Sequence, residues 1–305
     1  MTKPHFRLHQ AKSALAEVTL SPSQLAVANL PVDAAGLVYG APGSGKTLAI
    51  QARVSELVKA GVRPDQILTF SATRESANAL RDLLALDLQT ATSGPLARTV
   101  TSFAFELLAR AAMAAGQSAP ELISGAEQDQ IVAQILESTD LESVWPTHID
   151  KKTISLKGFR AELRDLIAVA VEHQLSPAQL DQLAQKHGRV EWHAASVILS
   201  AYLSRLASAE FDGRFDASSL LVRAAKLIRD QGLVAPIASI LVDDAQELTP
   251  AASRFLQQLV SASGAGLILV GDPDSVTLSF RAADPTGMRQ LAESVAEAKN
   301  SKIEQ

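Results

Sequence analysis

The stretch LVYGAPGSGKTLAI, residues 37–50, limits the possible folds more than any other part of the chain. An apolar run ends at Gly40, a glycine-rich turn follows, and a helix is expected from Lys46. Gly40-Ala41-Pro42-Gly43-Ser44-Gly45-Lys46-Thr47 fits G-x-x-x-x-G-K-[ST] at every fixed position. Glycines let backbone N–H groups turn inward around a phosphate at a helix N-terminus. Lys46 is then placed to reach the outer phosphate oxygens, and the Thr47 hydroxyl to hold Mg²⁺.

Five short apolar runs read as buried parallel strands: GLVYG (36–40), QILTF (66–70), ARTVT (97–101), ASILVD (238–243) and GLILV (266–270). Helical text separates the first three, in KTLAIQARVSELVKAG and ESANALRDLLALDL. Strand alternating with helix predicts a doubly wound α/β sheet. The alternation stops after the third run. From about 104 to 236 the chain holds only alanine- and leucine-rich helical text, with Ser or Asp caps and a helix-opening proline in SPAQL. The prediction is an α/β P-loop domain interrupted by an all-helical insertion, divided as 1–108, 109–236 and 237–305.

Composition narrows the chemistry. The 305 residues contain no cysteine, which removes disulfides, thiolate metal sites and a cysteine nucleophile. The six histidines show no metal-ligand spacing. No apolar run is long enough for a membrane span and the N-terminus lacks a signal-peptide core, so a cytoplasmic protein is expected. A net charge of −5 leaves room for nucleic acid, because binding needs only a local basic groove.

Two further segments carry chemistry. SILVDDAQELTP (239–250) ends a buried strand in Asp243-Asp244, at the sheet edge where Mg²⁺ would sit beside the phosphate loop. LILVGDPDSVTLSFRAA (267–283) is another strand leading into a polar turn and then Phe280-Arg281.

Together these segments resemble the first motor domain of superfamily 1 DNA helicases of the UvrD/Rep/RecB group. LSPSQLAVA resembles the adenine-reading motif and implies Gln24 as the adenine contact. LVDDAQEL resembles the D-E-x-Q box, and GDPDSVTLSFRAA the G-D-x-D-Q motif that follows it. ILTFSATRESANALRDLL and RTVTSFAFELL resemble the segments that touch single-stranded DNA. The helical insertion fits the family plan, and GFRAELRDLI…LSPAQLDQLA…EWHAAS is most similar to subunits of actinobacterial heterodimeric helicase–nucleases (AdnAB-type).

The resemblance implies an ATP- and Mg²⁺-dependent DNA helicase acting in repair or recombination. Gly40, Gly43, Ser44, Gly45, Lys46 and Thr47 would bind ATP with Gln24 and Gln246. Thr47 and Asp243 would hold Mg²⁺ (the aspartate through water), and Asp243, Asp244 and Lys46 would be catalytic. Thr69, Phe70, Thr73, Arg74, Thr101, Ser102, Phe103, Phe280 and Arg281 would meet single-stranded or duplex DNA, with core packing the competing role for Phe70 and Phe103. Trp145 and Trp192 read as helical-core residues, and Arg160 with Arg164 as a solvated face. A second motor domain, bearing an arginine finger, is expected beyond residue 305, and a second helicase–nuclease subunit is a possible partner.

Three positions depart from the family pattern. Asp244 stands where a glutamate is usual, Ser275 in place of a glutamine and Leu278 in place of a tyrosine. They support an alternative reading, a degenerate subunit acting as a nucleotide- or DNA-binding scaffold for an active partner.

Overall fold

The computed structural model describes residues 19–88, 94–138, 145–232, 235–277, 282–284 and 286–304. Helix α1 (Pro22–Ala28) opens on a reciprocal cap: the Ser21 hydroxyl accepts from Gln24 N–H, and the Gln24 side chain accepts from Ser21 N–H. Strand β1 (Ala35–Tyr39) leads through the glycine turn into α2 (Lys46–Lys59). Strand β2 (Ile67–Phe70) leads into α3 (Arg74–Leu88).

The third predicted strand does not form. Only Arg98 bridges to Phe70, and α4 (Val100–Ala114) begins two residues later. The reason is local. The Thr99 hydroxyl accepts from Ser102 N–H, so a β-branched residue in an apparent strand run serves as a helix cap.

Next come β3 (Glu121–Leu122), α5 (Gly125–Ser138), α6 (Lys151–Ser155), α7 (Lys157–Glu172), α8 (Pro177–His187) and α9 (Val190–Leu206). They are followed by β4 (Arg214–Phe215) and α10 (Ala217–Gln231). β3 and β4 form a two-stranded parallel ladder inside text read as wholly helical. Two residues are too few for a strand period to show in sequence. The chain closes with β5 (Ser239–Val242), α11 (Pro250–Ser263), β6 (Gly266–Gly271) and α12 (Gly287–Ala298).

The main sheet is parallel, in the order β1-β6-β5-β2. Alternation along its buried strands sorts side chains to two faces. Leu241, Ile268 and Val270 face a core shared with Ile50 and Val54 of α2 and Leu80 and Leu84 of α3. Ile240, Val242, Leu267 and Leu269 face the other core, built from α4, α10, α11 and α12 around the fully buried Phe255. A separate apolar cluster joins α5 to α9, with Trp145 buried and Trp192 packed against it. Trp145 meets Phe159 edge-on at 5.2 Å. Helix α10 belongs to the sheet side: Leu220, Leu221, Ala224 and Ile228 lie in the α4–α11 core. Among the described residues no helix is long and apolar enough to cross a membrane.

Candidate active site

The strand order sets neighbouring turns side by side at one edge of the sheet. β1 delivers the loop 40–45, β6 the segment 272–277 and β5 the turn 243–247, and these strands are adjacent. The turns border a cleft of about 620 Å³ lined by residues including Lys46, Thr47, Thr73, Asp244, Gln246 and Asp272.

Gly43 and Gly45 adopt φ of +80° and +83°, a region where a side chain is strained, and this makes the glycines necessary. Gly45 is also the N-cap of α2, so the free N–H groups of that helix open toward the turn. The Lys46 ammonium folds back across the loop, donating to the carbonyls of Gly40 (2.7 Å) and Ala41 (3.1 Å). The Thr47 hydroxyl donates to the Asp243 carboxylate at 2.8 Å, across 196 residues of sequence.

Asp243 is 4% exposed. Burial pushes its carboxyl above the ordinary aspartate value, against the opposing hydrogen bond from Thr47. Asp244 takes φ of +52°, a left-handed turn that aspartate tolerates better than most residues, and its N–H donates to Asp243. Buried Gln246 accepts from Asp272 N–H at 3.1 Å. Its closeness requires glycine at 271, where a Cβ would stand 2.5 Å from Gln246 Oε1.

Sequence reasoning missed the neighbours of these groups. Glu247 accepts from both the N–H (2.7 Å) and the hydroxyl (2.6 Å) of Thr277, pinning the segment after β6 to the acidic turn. Ser275 donates to Asp272 at 2.6 Å, and that bond holds the Asp272 carboxyl below its usual range. Glu247 lies in the segment SILVDDAQELTP, and nothing in the sequence pairs it with Thr277.

Gln24 reaches the loop from α1. Its amide N–H donates to the carbonyls of Ser44 and Gly45, both at 3.3 Å, while its oxygen serves the Ser21 cap. Both ends of the side chain predicted to read adenine are therefore engaged with protein. Arg53 of α2 clasps the far end of α1: its buried guanidinium donates to the carbonyls of Ala28 (3.0 Å), Leu30 and Pro31 (2.7 Å). Burial pushes the Arg53 guanidinium below its ordinary pKa.

The residues assigned to DNA divide. Thr73 and Arg74 are exposed at the start of α3, where the Thr73 hydroxyl accepts from Ser76 N–H. Thr101 is half-buried and Ser102 exposed in the first turn of α4. Thr69 and Phe70 are enclosed by the fold. Both side chains are buried, and the Phe70 ring packs edge-on against Phe103 at 5.7 Å. A ring with no exposed face cannot receive a base. Phe103 is half-buried, standing 6.2 Å from Phe255 with the Arg98 guanidinium 5.0 Å over its ring. Phe280, Arg281 and Leu278 lie outside the described residues. Arg160 pairs with Asp129 at 3.3 Å and Arg164 donates to the Gly125 carbonyl, so both brace the helical cluster from its surface.

A phosphate-type loop joining strand to helix on a parallel sheet, bonded to a carboxylate at the end of the next strand but one, defines the class as a P-loop α/β protein. Residues 20–296 match the UvrD/REP helicase N-terminal domain, and the chain belongs to that family. It is similar to a protein of Schizosaccharomyces pombe described as ATP-dependent DNA helicase srs2, 24% identical over 265 residues. That match covers 84% of this chain and 29% of the yeast protein, so the chain spans under a third of that relative's length.

Proposed function

We propose that this chain is the nucleotide-binding N-terminal portion of an ATP-dependent DNA helicase or translocase acting in DNA repair or recombination. The observation that carries the reading is the Thr47–Asp243 hydrogen bond of 2.8 Å, which ties the phosphate loop's threonine, a residue lining the cleft, to the acidic strand end.

The residues suit ATP with Mg²⁺. Thr47 and Asp243 offer adjacent hard oxygen donors, the kind Mg²⁺ prefers. Above Gly43 a Cβ would find no atom within 4 Å, which leaves the loop open on that side. When bound, Mg²⁺ supplies charge neutralisation at the transferring phosphoryl group. Among the described residues Lys46 is held by loop carbonyls and no ion pair, so its ammonium can turn to phosphate oxygens. The α2 N-terminus adds backbone donors. The Asp244 carboxylate, half-buried at the cleft edge, orients the attacking water and accepts its proton. Gln246 and Glu247 connect this edge to the segment leading toward Phe280 and Arg281.

Single-stranded DNA would run over Thr73, Arg74, Thr101 and Ser102 with Phe103 beside them, and Phe280 and Arg281 are proposed as further contacts. The division into motor parts and a helical insertion belongs to this proposal, with α10 counted on the motor side by its packing. The text of the helical cluster supports a second helicase–nuclease subunit as partner. The test is equilibrium binding of a fluorescent ATP analogue with and without Mg²⁺. Lys46→Ala removes binding and Thr47→Ala removes its Mg²⁺ dependence; Lys46→Ala binding as tightly as the parent chain would overturn the assignment.

A further inference from the structure

Glu172 is a buried carboxylate that the proposed chemistry does not use. It is the last residue of α7, in the helical cluster, and is 5% exposed. One oxygen accepts from the Ser218 hydroxyl at 2.6 Å and the other from Ala251 N–H at 2.9 Å. Its backbone carbonyl accepts from the Arg254 guanidinium. Ser218 lies in the first turn of α10, and Ala251 and Arg254 in the first turns of α11.

The site of attachment gives the contact its meaning. Helix α11 starts directly after the acidic turn. Asp243 and Asp244 lead into a short 3₁₀ turn, Ala245–Glu247, and then to the Thr249 cap and Pro250. Pro250 has no N–H, and Thr249 serves Ala252 N–H, which leaves Ala251 N–H for Glu172. A carboxylate supplied by the helical cluster thus completes the N-terminal cap of the helix that anchors the acidic turn, where the helix dipole also favours its charge. A second buried bond crosses the same junction but avoids α11: the Tyr202 hydroxyl of α9 donates to Asp216, the cap of α10, at 3.0 Å.

We infer that Glu172 is a positioning residue that ties the helical cluster to the acidic turn, so that the cluster holds the setting of Asp244 and Gln246 on which DNA-stimulated turnover depends. This rests on the proposed ATP-hydrolysing function for its catalytic consequence, though not for the mechanical tie. Three variants separate the roles. Glu172→Leu keeps the bulk and removes both acceptors. Glu172→Gln can turn its amide so that oxygen accepts from Ala251 N–H and nitrogen donates to the Ser218 hydroxyl. Ser218→Ala cuts only the bond to α10.

Amide hydrogen exchange on the full-length protein is read first, because it needs no turnover. Glu172→Leu is expected to speed exchange across residues 245–253 by about tenfold, the scale of one buried bond to a charged group, with Glu172→Gln and Ser218→Ala within about twofold of wild type. ATP turnover is read next. Glu172→Leu is expected to lower the ratio of DNA-stimulated to basal rate by about fivefold or more at unchanged KM for ATP, and Glu172→Gln to restore it. Unchanged exchange in Glu172→Leu overturns the inference. So does a loss of stimulation shared equally by Ser218→Ala, or a failure of Glu172→Gln to rescue. If the wild type hydrolyses no ATP, the functional reading fails and the exchange pattern alone decides the tie.

Discussion

Replacing Gly271 with alanine probes how tightly the segment after β6 is fitted to the acidic turn. The added Cβ would lie 2.5 Å from Gln246 Oε1, 2.9 Å from Met288 Sδ and 3.1 Å from the Gln246 backbone nitrogen. Met288 can bend away, but Gln246 has little freedom. It is 5% exposed, and its oxygen accepts from Asp272 N–H. Overpacking costs about 1–3 kcal/mol, and loss of the Asp272 bond about 1 kcal/mol more. A total of about 2–4 kcal/mol corresponds to a melting point lower by roughly 3–6 °C in a chain of this size. Thermal denaturation followed by circular dichroism measures the stability, and titration with an ATP analogue measures the site. The expectation is a lower melting point together with weaker nucleotide binding. A Gly271→Ala chain that melts within about 2 °C of wild type and binds nucleotide normally would show that Gln246 is not held as described.

Other outcomes follow from the same site. Burial raises the folded-state pKa of Asp243, so its contribution to stability is fully present below the unfolded value and is lost as pH rises through the folded value. Asp243→Asn should therefore be more stable than wild type at neutral pH without nucleotide, with the gap closing on acidification; urea unfolding from pH 7 down to about 4 tests this, and a gap that widens refutes it. Asp244→Asn should keep its left-handed turn and its stability while cutting ATP turnover about a hundredfold, whereas Asp244→Glu leaves turnover unchanged or raises it. Phe70→Ala should cost about 3–5 kcal/mol in denaturant unfolding, and the milder Phe70→Leu should leave single-stranded DNA affinity unaltered in an anisotropy titration. A Phe70→Leu chain that folds normally but binds DNA more weakly would restore a direct role for the ring.

Features governed by local spacing were legible in the sequence. The glycine turn, the start of α2 at Lys46 and the Ser176 cap with Pro177 in SPAQL all rest on interactions within a few residues. The four strands of the main sheet were visible because burial on both faces leaves continuous apolar runs. The run at 97–101 misled because Thr99 has the branching of a strand residue and also the hydroxyl of a cap. Phe70 was assigned to DNA by resemblance, with core packing the competing role because it ends a strand, and its packing against Phe103 beside Phe255 encloses the ring. The pairs linking the turns could not be read at all. Glu247 meets Thr277 across 30 residues and Glu172 meets Ala251 across 79, distances at which no local pattern survives.

The cleft between the loop 40–45 and the Asp243 turn is proposed to hydrolyse ATP in response to DNA. The most direct test is steady-state ATP hydrolysis by the full-length protein, with and without single-stranded DNA, for wild type and Lys46→Ala. Mg²⁺-dependent turnover that DNA stimulates is expected in the wild type, with a loss of about a hundredfold or more in Lys46→Ala. Equal rates for the two proteins, or a wild-type rate indifferent to DNA, would contradict it.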